Sequence, residues 1–283
     1  MHTATQRILI QRVALICTLI YLALFPGSTI TVALDRVPAW GTWLGGGLLL
    51  LQGVAVVAWL IGGYGKRGLI AASLGFFLAW LVEHLGETTG LPFGQYYYTD
   101  MLQPQIIGVV PLPITCAWLM VALGAWQLAG YTPHISGLRR VILTATLVMT
   151  LDLQIETIAT LVNPYWYWVD RGPYYGVPTL NFIGWWFVGL AMALLLRAIL
   201  PAQPPTIPVH GPRWARQIFL NTPVMLYLFS TIMFTVVNLS RGYWLAGVVG
   251  LIVLAIMALI AVLDRGWMTA ALAVGPVGHR TSD

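Results

Sequence analysis

Four carboxylic acids lie inside or at the ends of long apolar stretches of this sequence. Glu83 and Glu87 are four residues apart, and so are Asp152 and Glu156. Residues at this spacing share one face of an α-helix, so two helices would each present a pair of carboxyl groups. Burial disfavours the charged form of a carboxyl group, and a like-charged neighbour adds to this effect. We therefore expect at least one of these groups to keep its proton near neutral pH and to be available as an acid.

The stretches around these acids have the length and composition of transmembrane helices. Of the 283 residues, 59% are hydrophobic and 8% are charged, and the mean hydropathy is +0.82. A helix of about 20 apolar residues spans the roughly 30 Å of hydrocarbon. Eight segments meet this requirement: 8–25, 43–62, 69–86, 112–130, 139–162, 181–200, 218–237 and 244–263. The sequence thus predicts an all-α, polytopic transmembrane bundle of about eight helices. Seven is the alternative count, because the first segment also fits a signal sequence.

The positively charged residues predict how the bundle is oriented. With the N-terminus inside, eleven of the fourteen Lys and Arg residues lie on the cytoplasmic side, and only Arg36, Arg171 and Arg241 lie outside. Cytoplasmic loops retain positive charge, so we expect a multi-pass protein of the cell (plasma) membrane with both termini in the cytoplasm. The net charge of +5 then follows from topology and requires no nucleic-acid partner.

The domain organisation follows from the same segments. We expect a single transmembrane helical domain over residues 1–264, followed by a poorly ordered cytoplasmic tail over 265–283. The proline-rich segment from Pro201 to Pro212 reads as a cytoplasmic linker. Cys17 and Cys116 lack metal-binding spacing and are expected to be core residues.

The depth of each acid in the membrane can be estimated from the helical rise. Counted from Gly68 and Arg140, taken as the cytoplasmic starts of the third and fifth helices, Glu83 lies ~22 Å up, Asp152 ~18 Å and Glu156 ~24 Å. The three acids would therefore meet in one layer in the outer half of the membrane. The alternative is that they only hydrogen-bond between helices and hold the bundle together. No Lys or Arg lies at a matching depth to neutralise them, which favours a functional role.

The predicted outer loops are unusually rich in aromatic residues. Residues 91–98 read LPFGQYYY, residues 163–168 read NPYWYW, and residues 172–186 read GPYYGVPTLNFIGWW. A belt of Trp and Tyr at the membrane interface, together with packing, is the simpler interpretation. The density here exceeds a belt, and the Pro and Gly residues suggest ordered caps over the helix ends. An aromatic cavity beside buried acids would suit an apolar substrate that becomes cationic during the reaction.

A faint internal repeat links the two acidic regions. The third segment, an aromatic loop, Val110-Pro111 and Trp118 are echoed by the fifth segment, an aromatic loop, Val177-Pro178 and Trp185. Each half would supply one carboxylate helix and one capping loop, which weakly suggests a duplication.

Three other functional classes fit the residues less well. His84 is the one histidine in the acidic layer, so a di-metal site is disfavoured and His84 is expected to hydrogen-bond to the acids. The single lysine, Lys66, lies in a predicted loop, which argues against a retinal photoreceptor. A proton-coupled carrier of a small solute stays open, since buried carboxylates also relay protons. Carriers usually have interrupted helices at midplane, whereas Gly and Pro concentrate here in the caps, with Gly45, Gly46 and Gly47 as the exception.

In combination, the motifs of residues 70–190 resemble the carotenoid biosynthesis membrane proteins that include the γ-carotene 1',2'-hydratase and the bisanhydrobacterioruberin hydratase. The motifs are Glu83 with Gly86, Thr89-Gly90, Phe93-Gly94, Tyr96 to Tyr98, Val110-Pro111 through Trp118, Asp152, Trp166-Tyr167-Trp168, Tyr174 to Pro178, Asn181-Phe182 and Gly184-Trp185. One position departs from the family. The family commonly has an Asp followed four residues later by Asp-Pro, whereas this chain has Asp152 followed by Glu156-Thr157.

The resemblance implies hydration of the terminal C1–C2 double bond of a linear, ψ-ended carotenoid, without a cofactor or a metal. Asp152 and Glu156 would be the acid and the base, in an order left open, and Glu83 would hold water or share the proton. The residues expected around the substrate are Glu87, His84, Tyr96, Trp168, Tyr175, Asn181 and Trp185. The polyene would enter sideways from the lipid bilayer, and contacts with other carotenoid-pathway enzymes are implied. A carotenoid cyclase or isomerase that uses the same acids is the enzymatic alternative.

Overall fold

Eight α-helices account for most of the residues described by the computed structural model, which are 4–38, 41–132, 134–201 and 211–263. The helices are α1 (Ala4–Ala33), α2 (Leu44–Tyr64), α3 (Lys66–Thr89), α4 (Leu112–Tyr131), α5 (Gly137–Thr157), α6 (Thr179–Ile199), α7 (Arg213–Ser240) and α8 (Trp244–Leu263). Helices α1 to α7 are long and apolar enough to cross a membrane, and the part of α8 with this character, Trp244–Ile260, is shorter. The predicted all-α polytopic bundle is confirmed. The tail 265–283 and most of the linker before α7 lie outside the described residues.

Helices α1 and α7 each contain an internal proline, and both are longer than predicted. Helix α1 runs through Pro26 to Ala33, eight residues past the predicted end at 25, because proline is tolerated in spanning helices. In α7, Pro223 disturbs the backbone ladder, and the amide of Gln127 repairs it. Gln127 Oε1 accepts from the Val224 N–H at 3.0 Å, and its Nε2 donates to the Leu220 carbonyl at 2.6 Å. The Val224 N–H and the Leu220 carbonyl, which would pair in a regular helix, are thus both satisfied from α4.

Helix α4 is the centre of the bundle, and most of its residues are buried. It packs against α2, α3, α5 and α7. Polar side chains join α5 to α7: Thr157 donates to Asn238 Oδ1 at 2.5 Å, and Asn238 Nδ2 donates to the Gln154 carbonyl at 3.0 Å. Such interhelical hydrogen bonds stabilise membrane bundles by roughly 0.6–2 kcal/mol each. They hold the acidic stretch of α5 in register with its neighbours.

Ordered loops cover one end of the bundle, which is called the capped end below. The α3–α4 connection contains β1 (Tyr96–Tyr98), β2 (Gln105–Ile106) and β3 (Val110–Pro111), and the α5–α6 connection contains β4 (Trp166–Trp168). Strands β2 and β3 form a hairpin, while β1 pairs antiparallel with β4 across the two connections. A salt bridge of 3.1 Å between Asp35 and Arg241 joins the α1–α2 and α7–α8 connections at the same end. The four connections therefore form one cap.

Candidate active site

The Glu83 side chain is buried near the capped end of α3 and is surrounded by hydrogen-bond donors. Its Oε2 accepts from the hydroxyls of Tyr96 at 2.6 Å and Tyr98 at 2.5 Å, and its Oε1 accepts from Trp118 Nε1 at 2.6 Å. Three donors around one carboxyl group form a site suited to a carboxylate. Gly86, one turn later, leaves room for this, since a Cβ there would lie 2.7 Å from the Tyr96 hydroxyl.

The two tyrosines reach Glu83 because they lie in a strand. Successive side chains of a strand point to opposite faces, so Tyr96 and Tyr98 face inward while Tyr97 is 55% exposed. Burial, together with the nearby Glu83 charge, raises the pKa of both Tyr96 and Tyr98 well above 10. Both phenols therefore stay neutral and keep the protons that they donate.

Strand β4 supplies hydrogen-bond donors to Glu156, as β1 does to Glu83. Trp168 Nε1 donates to Glu156 Oε2 at 2.9 Å, and Trp166 Nε1 donates to the same oxygen at 3.2 Å. In the β1–β4 pair, Tyr96 stands opposite Trp168 and Tyr98 opposite Trp166. A single two-stranded ribbon thus holds one carboxyl group from α3 with its tyrosines and one from α5 with its tryptophans.

Asn181 joins the two acids of α5. Its Nδ2 donates to Asp152 Oδ2 at 2.9 Å and to Glu156 Oε1 at 3.0 Å. Asp152 Oδ1 has no hydrogen-bond partner among the described residues. Directly after Glu156, the helix loosens into a π-helical turn over Ile158–Val162, a feature that is common at functional sites. One amide thus fixes the positions of two neighbouring carboxyl groups relative to each other.

Aromatic rings close the site on the side of α4 and α6. Trp118 and Trp185 stack with their centroids 3.8 Å apart, and Phe93 stacks on Trp118 at 6.2 Å. The two tryptophans occupy equivalent places in the faint repeat of the sequence. This pairing gives the repeat a spatial counterpart, as does the pairing of β1 with β4.

A cavity of about 410 Å³ connects these groups. Its wall is mostly apolar and is formed by residues of α1 to α7 and of the cap. Glu83 and Glu156 both line it, as do Tyr96, Trp168, Asn181 and Trp185 among the residues predicted to surround a substrate. Burial raises the pKa of Tyr165, another wall residue in the cap, to about 12. The cavity is therefore an apolar chamber with two carboxyl groups at its capped end.

Four residues predicted for the site lie outside the cavity wall: Asp152, Glu87, His84 and Tyr175. Asp152 is fully buried and is connected to the cavity through Asn181. Glu87 lies one turn beyond Glu83 and is half-buried, and its Oε2 has no partner among the described residues. Tyr175 is half-buried in the cap, where its ring contacts Tyr243 and its hydroxyl accepts from the Leu245 N–H at 3.0 Å.

His84 does not make the hydrogen bond to the acids that the sequence predicts. Its ring stacks on Trp80, with centroids 5.4 Å apart, and its Nδ1 has no partner among the described residues. The reason is helical geometry, because one residue after Glu83 the side chain points about 100° away around the helix. His84 therefore lies on a different face of α3 from Glu83.

Sequence reasoning did not assign Tyr98, Trp118 and Trp166 as donors to the acids. The signal was present, since YYY and WYW are aromatic triplets in which a strand places the first and third residues on one face. In the described part of the chain, no group of three or more His, Cys, Asp or Glu side chains is placed to hold a metal ion.

Comparisons with known proteins agree with the resemblance in the sequence. Residues 44–257 match the family model described as "Carotenoid biosynthesis protein". The bisanhydrobacterioruberin hydratase of Haloarcula japonica is 28% identical over 134 residues, which cover 46% of this chain and 44% of that protein. The chain thus spans less than half the length of this curated relative. No solved structure matches the chain significantly. Because the family model covers most of the sequence and the membrane bundle carries its motifs, this chain belongs to the carotenoid biosynthesis protein family.

Proposed function

We propose that this protein hydrates the terminal C1–C2 double bond of a linear, ψ-ended carotenoid by acid–base chemistry between two glutamates. Its family has a role in carotenoid biosynthesis, and the relative from Haloarcula japonica is named a hydratase. A carotenoid dissolves in the lipid bilayer, so it also suits a site that lies within a bundle of membrane-spanning helices. The proposal assigns this substrate class and this reaction to the cavity at the capped end.

One observation carries the proposal most directly. Glu83 and Glu156 come from different helices, and both line the same apolar chamber. Addition of water to an alkene needs one group that gives a proton to carbon and one that takes a proton from water. Two carboxyl groups at one wall of a chamber that otherwise suits a hydrocarbon supply both functions.

The hydrogen bonds suggest a role for each acid. Glu156 shares Asn181 with Asp152, so this pair would hold one proton, and Glu156 would deliver it to C2 of the alkene. The positive charge then lies at the tertiary carbon C1. Glu83, already surrounded by three donors, would act as the carboxylate that removes a proton from the water whose oxygen bonds to C1. The net change is the addition of one water molecule, and the cycle ends when the proton on Glu83 returns to Glu156.

In this scheme Asp152 is a positioning residue. It does not line the cavity, and it acts through Asn181 on Glu156. The sequence-based assignment had Asp152 and Glu156 as the reacting pair, with Glu83 as an auxiliary group. The geometry favours exchanging the roles of Asp152 and Glu83.

The aromatic wall would stabilise the intermediate cation. Trp118, Trp168 and Trp185 all line the chamber. A cation over such a ring gains about 0.5–2 kcal/mol, and more when water is excluded. Because the transition state carries more positive charge than the alkene, this stabilisation lowers the barrier.

The size of the cavity implies how a carotenoid would be held. A volume of about 410 Å³ accommodates the end of a polyene but not a chain tens of ångströms long, so the remainder would lie in the bilayer. The capped half of α1 supplies small wall residues beside Pro26, including Gly27, Ser28 and Thr31. A Cβ at Gly27 would meet no atom within 4 Å. This is the side where the polyene would leave the chamber.

The test is expression in cells that accumulate lycopene or another ψ-ended carotenoid, followed by mass analysis of the pigments. Hydration adds the mass of one water for each end that reacts. Glu156→Gln should abolish the product, whereas Asp170→Asn, an exposed acid in the cap, should not. Unchanged pigments with wild-type protein present in the membrane would overturn the proposal. An isomer of equal mass with fewer acyclic ends would identify the cyclase alternative.

A further inference from the structure

A second polar group lies in the cavity wall and has no role in the scheme above. It consists of Tyr21 of α1, Gln52 of α2 and Ser230 of α7, and all three residues line the cavity. The Tyr21 and Ser230 hydroxyl oxygens are 3.2 Å apart, and Gln52 Nε2 donates to Ser230 Oγ at 3.2 Å. The three side chains come from three helices and meet in an otherwise apolar part of the wall.

One atom of this group lacks its partner. Gln52 is 97% buried, with 3% of its surface exposed, and its Oε1 accepts no hydrogen bond from the described residues. A buried amide oxygen without a donor is costly, because it has lost its hydrogen bonds to water. Few chemical groups could satisfy this oxygen. It needs a donor, so an O–H group fits, whereas an ether, a ketone or a hydrocarbon does not.

The group is distinct from the acids of the proposed reaction. By the 1.5 Å rise per residue, Gln52 lies about 12 Å from the capped end of α2 and Ser230 about 15 Å from that of α7, while Glu83 lies about 9 Å from that of α3. The group is thus several ångströms further into the bundle. A molecule that filled the chamber could contact both polar sites.

We propose that Gln52, Ser230 and Tyr21 form a second binding site in the cavity, which takes an O–H group. The inference rests on the proposed function for the nature of the occupant, which is either the hydroxyl of a hydroxylated polyene or a water molecule that is then passed to the acids for hydration. Gln52 Oε1 accepts the O–H, and the oxygen of the ligand accepts in turn from a neighbouring hydroxyl. Both sources share this chemistry, and two measurements distinguish them.

The first measurement is binding, and it does not depend on turnover. Purified protein in lipid nanodiscs is titrated with all-trans-retinol or with its methyl ether, which has the same polyene but no O–H. Binding is read from quenching of tryptophan emission, since several tryptophans line the cavity. If the site takes an alcohol, the wild type binds retinol about five- to tenfold more tightly than the ether, as expected for one hydrogen bond. Gln52→Met and Ser230→Ala should each remove most of this preference.

The second measurement is turnover of a hydrocarbon ψ-ended carotenoid, which has no hydroxyl of its own. If the site holds water that supplies the reaction, Gln52→Met lowers kcat about tenfold with little change in KM, while retinol and its ether bind equally. The matched control is Thr115→Val. Thr115 is buried in α4, its hydroxyl has no hydrogen-bond partner among the described residues, and it does not line the cavity. This variant should match the wild type in both assays.

The two proposals fail in different ways. If the wild type does not hydrate any ψ-ended carotenoid, the proposed function is wrong, and the binding measurement alone decides on the second site. If folded Gln52→Met and Ser230→Ala proteins keep the wild-type binding preference and the wild-type kcat, the second site is wrong, whatever the activity of the protein.

Discussion

The indole rings of Trp118 and Trp185 stack face to face, with centroids 3.8 Å apart and planes inclined by 19°. Trp118 alone of the two also donates its Nε1–H to an acid, at 2.6 Å from Glu83 Oε1. The stack is part of the cavity wall, so one ring both shields the chamber and fixes the orientation of a carboxyl group. The two functions can be separated by mutation.

Substituting Trp118→Phe should lower kcat by about 10- to 100-fold, because it keeps an aromatic face but removes the hydrogen bond to Glu83. Trp185→Phe keeps a stacked ring and removes no donor to an acid, so it should cost less than about tenfold. Both are measured as hydrated carotenoid formed per unit of membrane protein. Equal losses in the two variants would show that packing, and not the bond to Glu83, determines the activity.

Substitutions of the three buried acids should lower kcat to different extents. Glu83→Gln and Glu156→Gln should each reduce kcat by about 10²–10⁴-fold, the usual contribution of a positioned acid or base. Asp152→Asn should cost about tenfold or less, since Asp152 acts through Asn181 and does not line the cavity. The exposed Asp170→Asn is the control for loss of a carboxyl group in the cap. A loss for Asp152→Asn as large as that for Glu156→Gln would restore Asp152 to the reacting pair.

The tyrosines of β1 provide an internal control within three residues. Tyr98→Phe and Tyr96→Phe should each lower kcat about tenfold, because each removes a hydroxyl that donates to Glu83. Tyr97→Phe changes an exposed ring of the same strand and should leave activity unchanged. A Tyr97→Phe protein as impaired as Tyr98→Phe would indicate that the ribbon itself had been damaged.

The raised pKa of Tyr96 and Tyr98 adds a prediction about pH. Since burial raises both pKa values well above 10, the neutral donors persist as the pH rises to 10. Any loss of activity between pH 7 and 10 must therefore come from other groups. Tyr98→Phe should lower the whole pH–rate profile without moving its alkaline midpoint. A midpoint that moves in this variant would mean that the phenol titrates within that range.

The sequence predicted the bundle well because membrane solvation imposes a simple rule. Each backbone group in hydrocarbon must be paired, so long apolar segments become helices, and seven of the predicted segments correspond to spanning helices. The errors were at the ends. The first segment was expected to end at residue 25, yet the helix continues through Pro26 to Ala33, because hydropathy along one segment does not include the neighbouring helices that stabilise its ends.

The site was predicted only in part, because its contacts are between segments distant in the chain. The spacing of Asp152 and Glu156 placed them on one helix face, and this is how Asn181 reaches both. Depth along the helix did not reveal that Asp152 lies outside the cavity wall. The YYY and WYW triplets pair into one ribbon between two acids. This pairing depends on the packing of α3 against α6 and of α5 against α6.

The close packing of Gly86 predicts a test of the Glu83 site through stability. A Cβ at this position would lie 2.7 Å from the Tyr96 hydroxyl and 2.8 Å from Phe93 Cδ2. Gly86→Ala should therefore destabilise the protein by about 1–3 kcal/mol and lower its activity. Gly47→Ala in α2 is the matched control, since its Cβ would meet the Trp43 ring at an ordinary 3.5 Å. Helix propensity alone favours Ala in both variants, so a stabilised Gly86→Ala protein would contradict the packing described here.

The distribution of Lys and Arg predicts that the capped end, with both carboxyl groups near it, faces away from the cytoplasm. In a background with Cys17 and Cys116 replaced, a cysteine introduced at Asp170 in the cap should react with a membrane-impermeant maleimide added to intact cells. A cysteine at Arg213, at the opposite end of α7, should react only after the membrane is opened. The reverse pattern would place the cap in the cytoplasm and would contradict the orientation inferred from positive charge. The chamber would then face the other leaflet, and the polyene would have to reach the acids from there.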